Sequence, residues 1–193
     1  MPTAETQLQT ILSRRSANAR MLIAPGPDEA ALEAIVKAGA HAPDHGRLVP
    51  FRIIRIADAA RPRFADILEA ASRELSPDLA QPDIDRAREK ADQGPLILGL
   101  IARIDAKHPK IPASDQWLTT GCVLENMLFA IQATGYAAAI RSGRFLETRA
   151  MRMGFALGED EHLVSFLAIG TATDWPPQKP KPTHEQVYSV WNG

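Results

Sequence analysis

The sequence predicts an α+β protein, and three observations carry that expectation. Apolar and basic residues alternate at 51–56, as in a strand with one solvated face; an apolar run at 95–104 reads as a more buried strand, and 163–171 as another. Apolar residues at helical spacing fill most of the segments between these runs. No glycine-rich fingerprint opens a strand–helix–strand unit, because Gly94, Gly99, Gly121 and Gly135 stand isolated.

Taken in order, a short amphipathic run opens the chain and ends at Arg14-Arg15-Ser16. A helix is predicted at 29–40, where Leu32, Ile35, Val36 and Gly39 share one face. The residue before a proline is pushed out of the α region, so His41-Ala42 should end this helix before Pro43 and start an extended turn through Gly46. After the 51–56 strand, charged helices at 60–75 and 82–93 flank a turn at Ser76-Pro77-Asp78. The most regular helix spans 114–134. There Leu118, Cys122, Leu124, Glu125, Met127, Leu128, Ile131 and Gln132 leave few wholly polar faces, so it should be buried on most sides, in the core or an interface. Gly135 suits its C-terminal stop. A short buried strand at 136–140 follows, with Arg141-Ser142-Gly143 as the turn after it; then come a helix at 146–157, a Gly158 stop and the 163–171 strand. The proline-rich stretch from Trp175 to Pro182 can form neither helix nor central strand, so 175–193 is expected to run as an extended arm on a single domain of 1–193. Aromatic residues follow these prolines at the domain end, which favours packing of the arm on protein over a role as an SH3-type ligand.

A chain of 193 residues can bury a core of its own. Its net charge of -1 and pI near 6.5, with no lysine–arginine stripe, argue against nucleic acid as partner. Cys122 is the lone cysteine and falls in an apolar helical pattern, which reads as a buried structural thiol. The first thirteen residues lack the apolar centre of a signal peptide, and the longest apolar run, 96–102, is too short to span a bilayer. A cytoplasmic protein without membrane attachment is therefore expected. His41 and His45 lie four apart, but Pro43 breaks the helix that would place both rings on one face and no cysteine completes the set, so no metal is expected.

Three segments carry the functional expectation. Adjacent arginines near a helix end point in different directions, so one of Arg14 and Arg15 can face a ligand phosphate or ring oxygen while the other pairs elsewhere, with Ser16 adding a short donor and acceptor. Alternatively, both are solvated charges that complement a helix C-terminus. The second segment is the loop Ala42-Pro43-Asp44-His45-Gly46-Arg47-Leu48-Val49-Pro50-Phe51, and the third is Ile140-Arg141-Ser142-Gly143. In this order and over nearly the whole chain, they resemble the nitroreductase family, particularly its short single-domain branch.

The resemblance implies a nitroreductase-like, FMN-dependent homodimer with a central, mostly antiparallel sheet flanked by helices. It implies flavin contacts at Arg14, Arg15 and Ser16, with Arg14 the foremost candidate for a phosphate or pyrimidine contact. It also implies contacts at His41, and at Pro43, Asp44, His45 and Arg47, whose loop reaches across the dimer interface to the other subunit's flavin. Arg141, Ser142 and Gly143 correspond to the turn whose backbone N–H groups face flavin N5, where a donor stabilises the reduced flavin without a titrating side chain. The family often has Ser or Asn in the loop with a Gln-Pro-Trp ending, and an acidic residue near Arg141; this chain departs at Arg47, at Val49-Pro50-Phe51 and at Arg141. The family's C-terminal segment wraps over the partner subunit, which would make Val187, Tyr188 and Trp191 apolar anchors. NADH or NADPH would donate hydride, and a nitroaromatic, quinone or related small electrophile would accept electrons. With no dinucleotide domain, donor and acceptor would use one shallow pocket in turn, a ping-pong scheme. No side chain is assigned as catalytic acid. The competing expectations are a non-catalytic flavin-binding storage or sensing protein, and a structural homodimer without cofactor.

Overall fold

The computed structural model describes residues 4–177 and 180–193. Five strands form one antiparallel sheet: β1 (Leu22–Ile23), β2 (Phe51–Arg55), β3 (Leu96–Arg103), β4 (Ala137–Arg141) and β5 (Glu161–Ala172). The long β5 organises it, pairing with β3 from Glu161 to Ile169, with β4 from Phe166 to Gly170 and with β1 at Thr171 and Ala172; β2 adds to β3. Strands buried on both faces should be apolar almost throughout, and β3 is buried at every residue but Arg103.

The two-residue period of the strands divides the core. Ile97, Ile101 and Phe166 point to one side, where they meet Phe64 and Leu68 of α3 (Arg61–Leu75) and Met151 of α6 (Arg149–Gly154). Leu98, Leu100, Leu167 and Ile169 point to the other, against Ile35 of α2 (Glu29–Ala40) and Val123, Met127 and Ile131 of α5 (Ala113–Ala133). A bulge between Leu100 and Ile101 skips Val164 in the register, and next to it the Ser165 hydroxyl is buried without a hydrogen-bond partner among the described residues.

Local chemistry fixes the element ends. Asp28 caps α2 by accepting from the Ala31 N–H. At the end of α5, Gly135 takes φ +85° while its N–H donates to Gln132 and that of Tyr136 to Ile131, the paired bonds of a Schellman stop. The expected helix at 146–157 is divided. A 3₁₀ turn spans Arg144–Glu147, and α6 restarts behind Thr148, whose hydroxyl caps Met151. The expected 82–93 helix is shorter, α4 (Gln81–Glu89), because the chain turns from Lys90 toward Gly94 at φ +90°. Glu161, at the head of β5, accepts from Arg52 Nε at 2.7 Å and Nη2 at 2.8 Å, from Arg103 Nε at 3.2 Å and from the Gly158 N–H. Arg52 foremost holds the Glu161 carboxyl down at about 2, and the same contact raises Arg52.

The single chain leaves two apolar surfaces uncovered. Only one side of α5 is buried; Trp117 and Leu118 are exposed, and Cys122 is half-exposed instead of enclosed. The arm carries one unexpected turn, α7 (His184–Val187), and Val187, Tyr188 and Trp191, expected to anchor on a partner subunit, are exposed in the single chain. Gln178 and Lys179 of the arm lie outside the described residues. Among the described residues no helix is long and apolar enough to cross a membrane.

Candidate functional site

Segment 14–18 leaves α1 (Ala4–Leu12) and runs along α5 toward β4. The Gln132 side-chain amide donates to the Thr10 carbonyl and the Ser13 hydroxyl, Arg14 Nε lies 3.2 Å from Glu125 Oε1, and the Ala17 N–H donates to Ala138 of β4. Arg15 turns the other way, as adjacent residues at a helix end must. Its Nη2 donates to the Pro176 carbonyl at 2.7 Å, and its guanidinium lies 5.1 Å from the centre of the Trp175 ring. The start of the arm is thereby clasped to the body. Arg14, Arg15 and Ser16 face Pro176, Pro177 and Lys181 across a cleft of about 430 Å³ that gathers three cations.

Farther along the same segment, Asn18 and Arg20 border a larger groove, of about 980 Å³, beside the Arg141-Ser142 turn. Arg141, at the end of β4, is half-buried. It donates to the Lys90 carbonyl and the Gln93 side chain, and burial pulls its pKa down to about 10. Lys90 is lowered as well, first by burial and then by Arg141, and its ammonium lies 5.7 Å from the centre of the Phe145 ring. Arg86 and Arg144 stand on the same groove, with Asp83 the one carboxylate lining it among the described residues. Gly143, at φ +128°, heads the 3₁₀ turn after β4, and its carbonyl accepts from Leu146.

The 43–47 loop sits elsewhere. His45 Nδ1 lies 2.8 Å from Asp115 Oδ2 at the start of α5, and the Asp44 carboxylate accepts from the N–H groups of Leu48 and Val49. Gly46 at φ +73°, Arg47 at +56° and Val49 at +50° all occupy the left-handed region, which a β-branched residue such as Val49 enters only under strain. His41 stays with its own helix, Nδ1 at 2.7 Å from the Lys37 carbonyl oxygen, while Pro43 is exposed. Asp115 and Glu125 are about 15 Å apart along α5 at the helical rise, so within one chain the expected site residues of the loop do not join Arg14. Among the described residues no group of three or more His, Cys, Asp or Glu side chains gathers as a metal site.

Sequence reasoning missed Arg20, Lys90, Arg144 and Lys181. Lys90 lies in a charged helical pattern that reads as a solvated face, Arg20 and Arg144 carry no motif, Lys181 stands in the proline-rich arm, and only the tertiary fold brings them beside the recognised segments.

A five-stranded antiparallel sheet between two helical layers is the nitroreductase-like architecture. A nitroreductase-like family protein from Bacillus cereus matches it with a TM-score of 0.82, covering 100% of both chains at 16% identity. The FMN and NADPH-dependent nitroreductase NfnB from Sphigopyxis sp. strain HMH matches with a TM-score of 0.72 over 96% of this chain and 98% of its own, at 20% identity. The chain belongs to the nitroreductase family, whose model matches residues 11–171. Two curated relatives carry the name "Putative NAD(P)H nitroreductase". One, from Haemophilus influenzae, is 32% identical over 86% of this chain and 88% of its own; the other, YdjA of Escherichia coli K12, is 33% identical over 85% and 87%.

Proposed function

We propose that the protein is an FMN-dependent oxidoreductase that takes hydride from NADH or NADPH and passes two electrons to a nitroaromatic, quinone or related small electrophile. Family membership and the names of the relatives support the class. The observation that carries the reading is the run of cations along segment 14–20, from the Arg14, Ser16 and Lys181 cleft to the groove beside Ser142. This donor set fits FMN. Arg14, Arg15, Ser16 and Lys181 would hold its phosphate, and Lys90, Arg141, Ser142 and Gly143 would border its ring, with His41, Pro43, Asp44, His45 and Arg47 supplied by the second copy of a homodimer. When bound, FMN supplies hydride acceptance and donation, which no side chain offers.

The chain's own residues bind and orient. Lys90 and Arg141 are fixed cations in a partly desolvated groove, where they stabilise negative charge more strongly than they would in water. Apolar side chains such as Leu68 and Phe145 line the groove and limit water. No side chain is assigned the proton, which substrate or solvent can supply. A cytoplasmic setting goes with this reading.

The visible absorption spectrum of the purified protein tests it. Flavin bands are expected, either as isolated or after incubation with FMN and removal of the excess; a protein colourless after that treatment refutes the proposal. Bound flavin that both NADH and NADPH reduce only slowly would instead indicate a storage or sensing protein. Because no fingerprint for a separate dinucleotide domain is present, donor and acceptor are expected to share one pocket in turn. Double-reciprocal plots against the donor should then give parallel lines at several acceptor concentrations, and intersecting lines would mean separate sites.

A further inference from the structure

Three cations of the groove beside Ser142 have no carboxylate partner among the described residues. Arg141 spends its donors on the Lys90 carbonyl and the Gln93 amide, the Lys90 ammonium lies near the Phe145 ring, and the Arg144 side chain makes no hydrogen bond or ion pair among the described residues. The other two are compensated: Arg86 pairs with Asp83, and Arg20 lies 3.6 Å from Glu89. The groove therefore joins an apolar lining, which includes Leu68, Leu75 and Phe145, to uncompensated positive charge. Such a surface suits a long ligand with flat rings and a dianionic end.

On the functional reading above, Lys90 and Arg141 serve the flavin ring, which leaves Arg144. It is exposed, lies one residue beyond Gly143 and has Arg86 on the same groove. NADPH differs from NADH only in a 2′-phosphate on the adenosine ribose, a group that carries close to two negative charges at neutral pH. We propose that the outer groove receives the adenosine end of the nicotinamide donor and that Arg144, assisted by Arg86, selects NADPH over NADH by binding this phosphate. An arginine fork matches phosphate oxygens with paired N–H donors, whereas a 2′-hydroxyl offers it nothing comparable. Arg86 is partly neutralised by Asp83, so Arg144 carries most of the discrimination.

Two measurements test the assignment. Comparison of kcat/KM for the two donors is expected to favour NADPH by about tenfold or more, the scale of one charge-assisted phosphate contact. Arg144→Gln should reduce that ratio about tenfold, and Arg144→Lys should restore part of it. Calorimetry with adenosine 2′,5′-bisphosphate and with 5′-AMP needs no turnover and should show the same preference and the same dependence on Arg144. A preference for NADH, or an Arg144→Gln variant that loses both donors equally, overturns the proposal. If the protein binds no flavin yet prefers the bisphosphate through Arg144, the phosphate site stands and the flavin reading falls. Equal binding of the two nucleotides removes the phosphate site, whether or not flavin is bound.

Discussion

Arg14→Ala is expected to lower FMN affinity by about tenfold to a hundredfold, because a phosphate dianion loses a charge-assisted contact worth roughly 1.5 to 3 kcal/mol. The fold should survive. The partner of Arg14 is Glu125, whose side chain is 47% exposed, and a pair so open to solvent contributes less than about 1 kcal/mol. Arg14→Lys should rescue only partly, since a point charge replaces a fork. Fluorescence titration reads both variants, and unchanged affinity in the alanine variant removes Arg14 from the site.

The same variant probes the composite site when paired with a lesion in the loop. Gly46 holds φ +73°, a conformation an alanine adopts only under strain, and a Cβ there would come within 2.2 Å of the Ile111 Cδ1 tip, so Gly46→Ala strains the loop and obliges Ile111 to shift. Each variant alone should bind FMN poorly. Co-expressed, they should form a mixed dimer with one intact site and about half the flavin per dimer of the unaltered protein, provided the lesions act independently. Within one chain Arg14 lies by Glu125 and His45 by Asp115, and exposed Leu118, Tyr188 and Trp191 offer apolar surface to a second copy. Obligate interfaces commonly bury more than about 2,000 Å². A mixed dimer that binds no more flavin than its parents, or an unaltered protein that sediments as a flavin-loaded monomer, would rule out the composite site.

Glu161→Gln should destabilise the protein by roughly 2 to 3 kcal/mol at neutral pH, because it leaves Arg52 and Arg103 facing a neutral amide. The sign of the pH dependence follows from the depressed pKa. The native carboxyl titrates at about 2 against an ordinary value of 4.5, so its contribution is fully present above about 4.5 and is lost as the pH falls toward about 2. Urea denaturation at pH 7 and at pH 3 should show the two proteins converging in acid. A difference below about 0.5 kcal/mol at pH 7, the range of an ordinary surface substitution, would mean that the cluster contributes little.

Where one physical signal dominated, the sequence was legible. The apolar run at 95–104 became β3 (Leu96–Arg103), and Gly135 stopped α5 by the expected backbone geometry. Where two signals competed, it was not. Thr148 follows an apolar helical pattern, yet its hydroxyl caps a new helix there. β1 has only two residues, and its pairing with β5 leaves no period to read. The Arg14-Arg15-Ser16 segment was visible because its residues are contiguous. Arg20, Lys90 and Arg144 were not, because their convergence depends on how α4 and β4 pack, and no local spacing encodes that. The exposure of Leu118 and Cys122 could not be read from α5's composition either, since an apolar face has the same periodicity against a core as against a second copy.

The helix α5 also works as a gauge. The loop rests on it at Asp115, the N-terminal segment at Glu125 and Gln132, and nothing but helical pitch sets the interval between them. One residue inserted between Asp115 and Glu125 would rotate everything beyond it by about 100° and advance it by about 1.5 Å, turning Glu125 away from Arg14. Seven residues would nearly restore the phase but lengthen the interval by about 10 Å. On the proposed flavin site, a change in the count of residues along this stretch is therefore expected to cost more FMN binding than an exposed substitution within it.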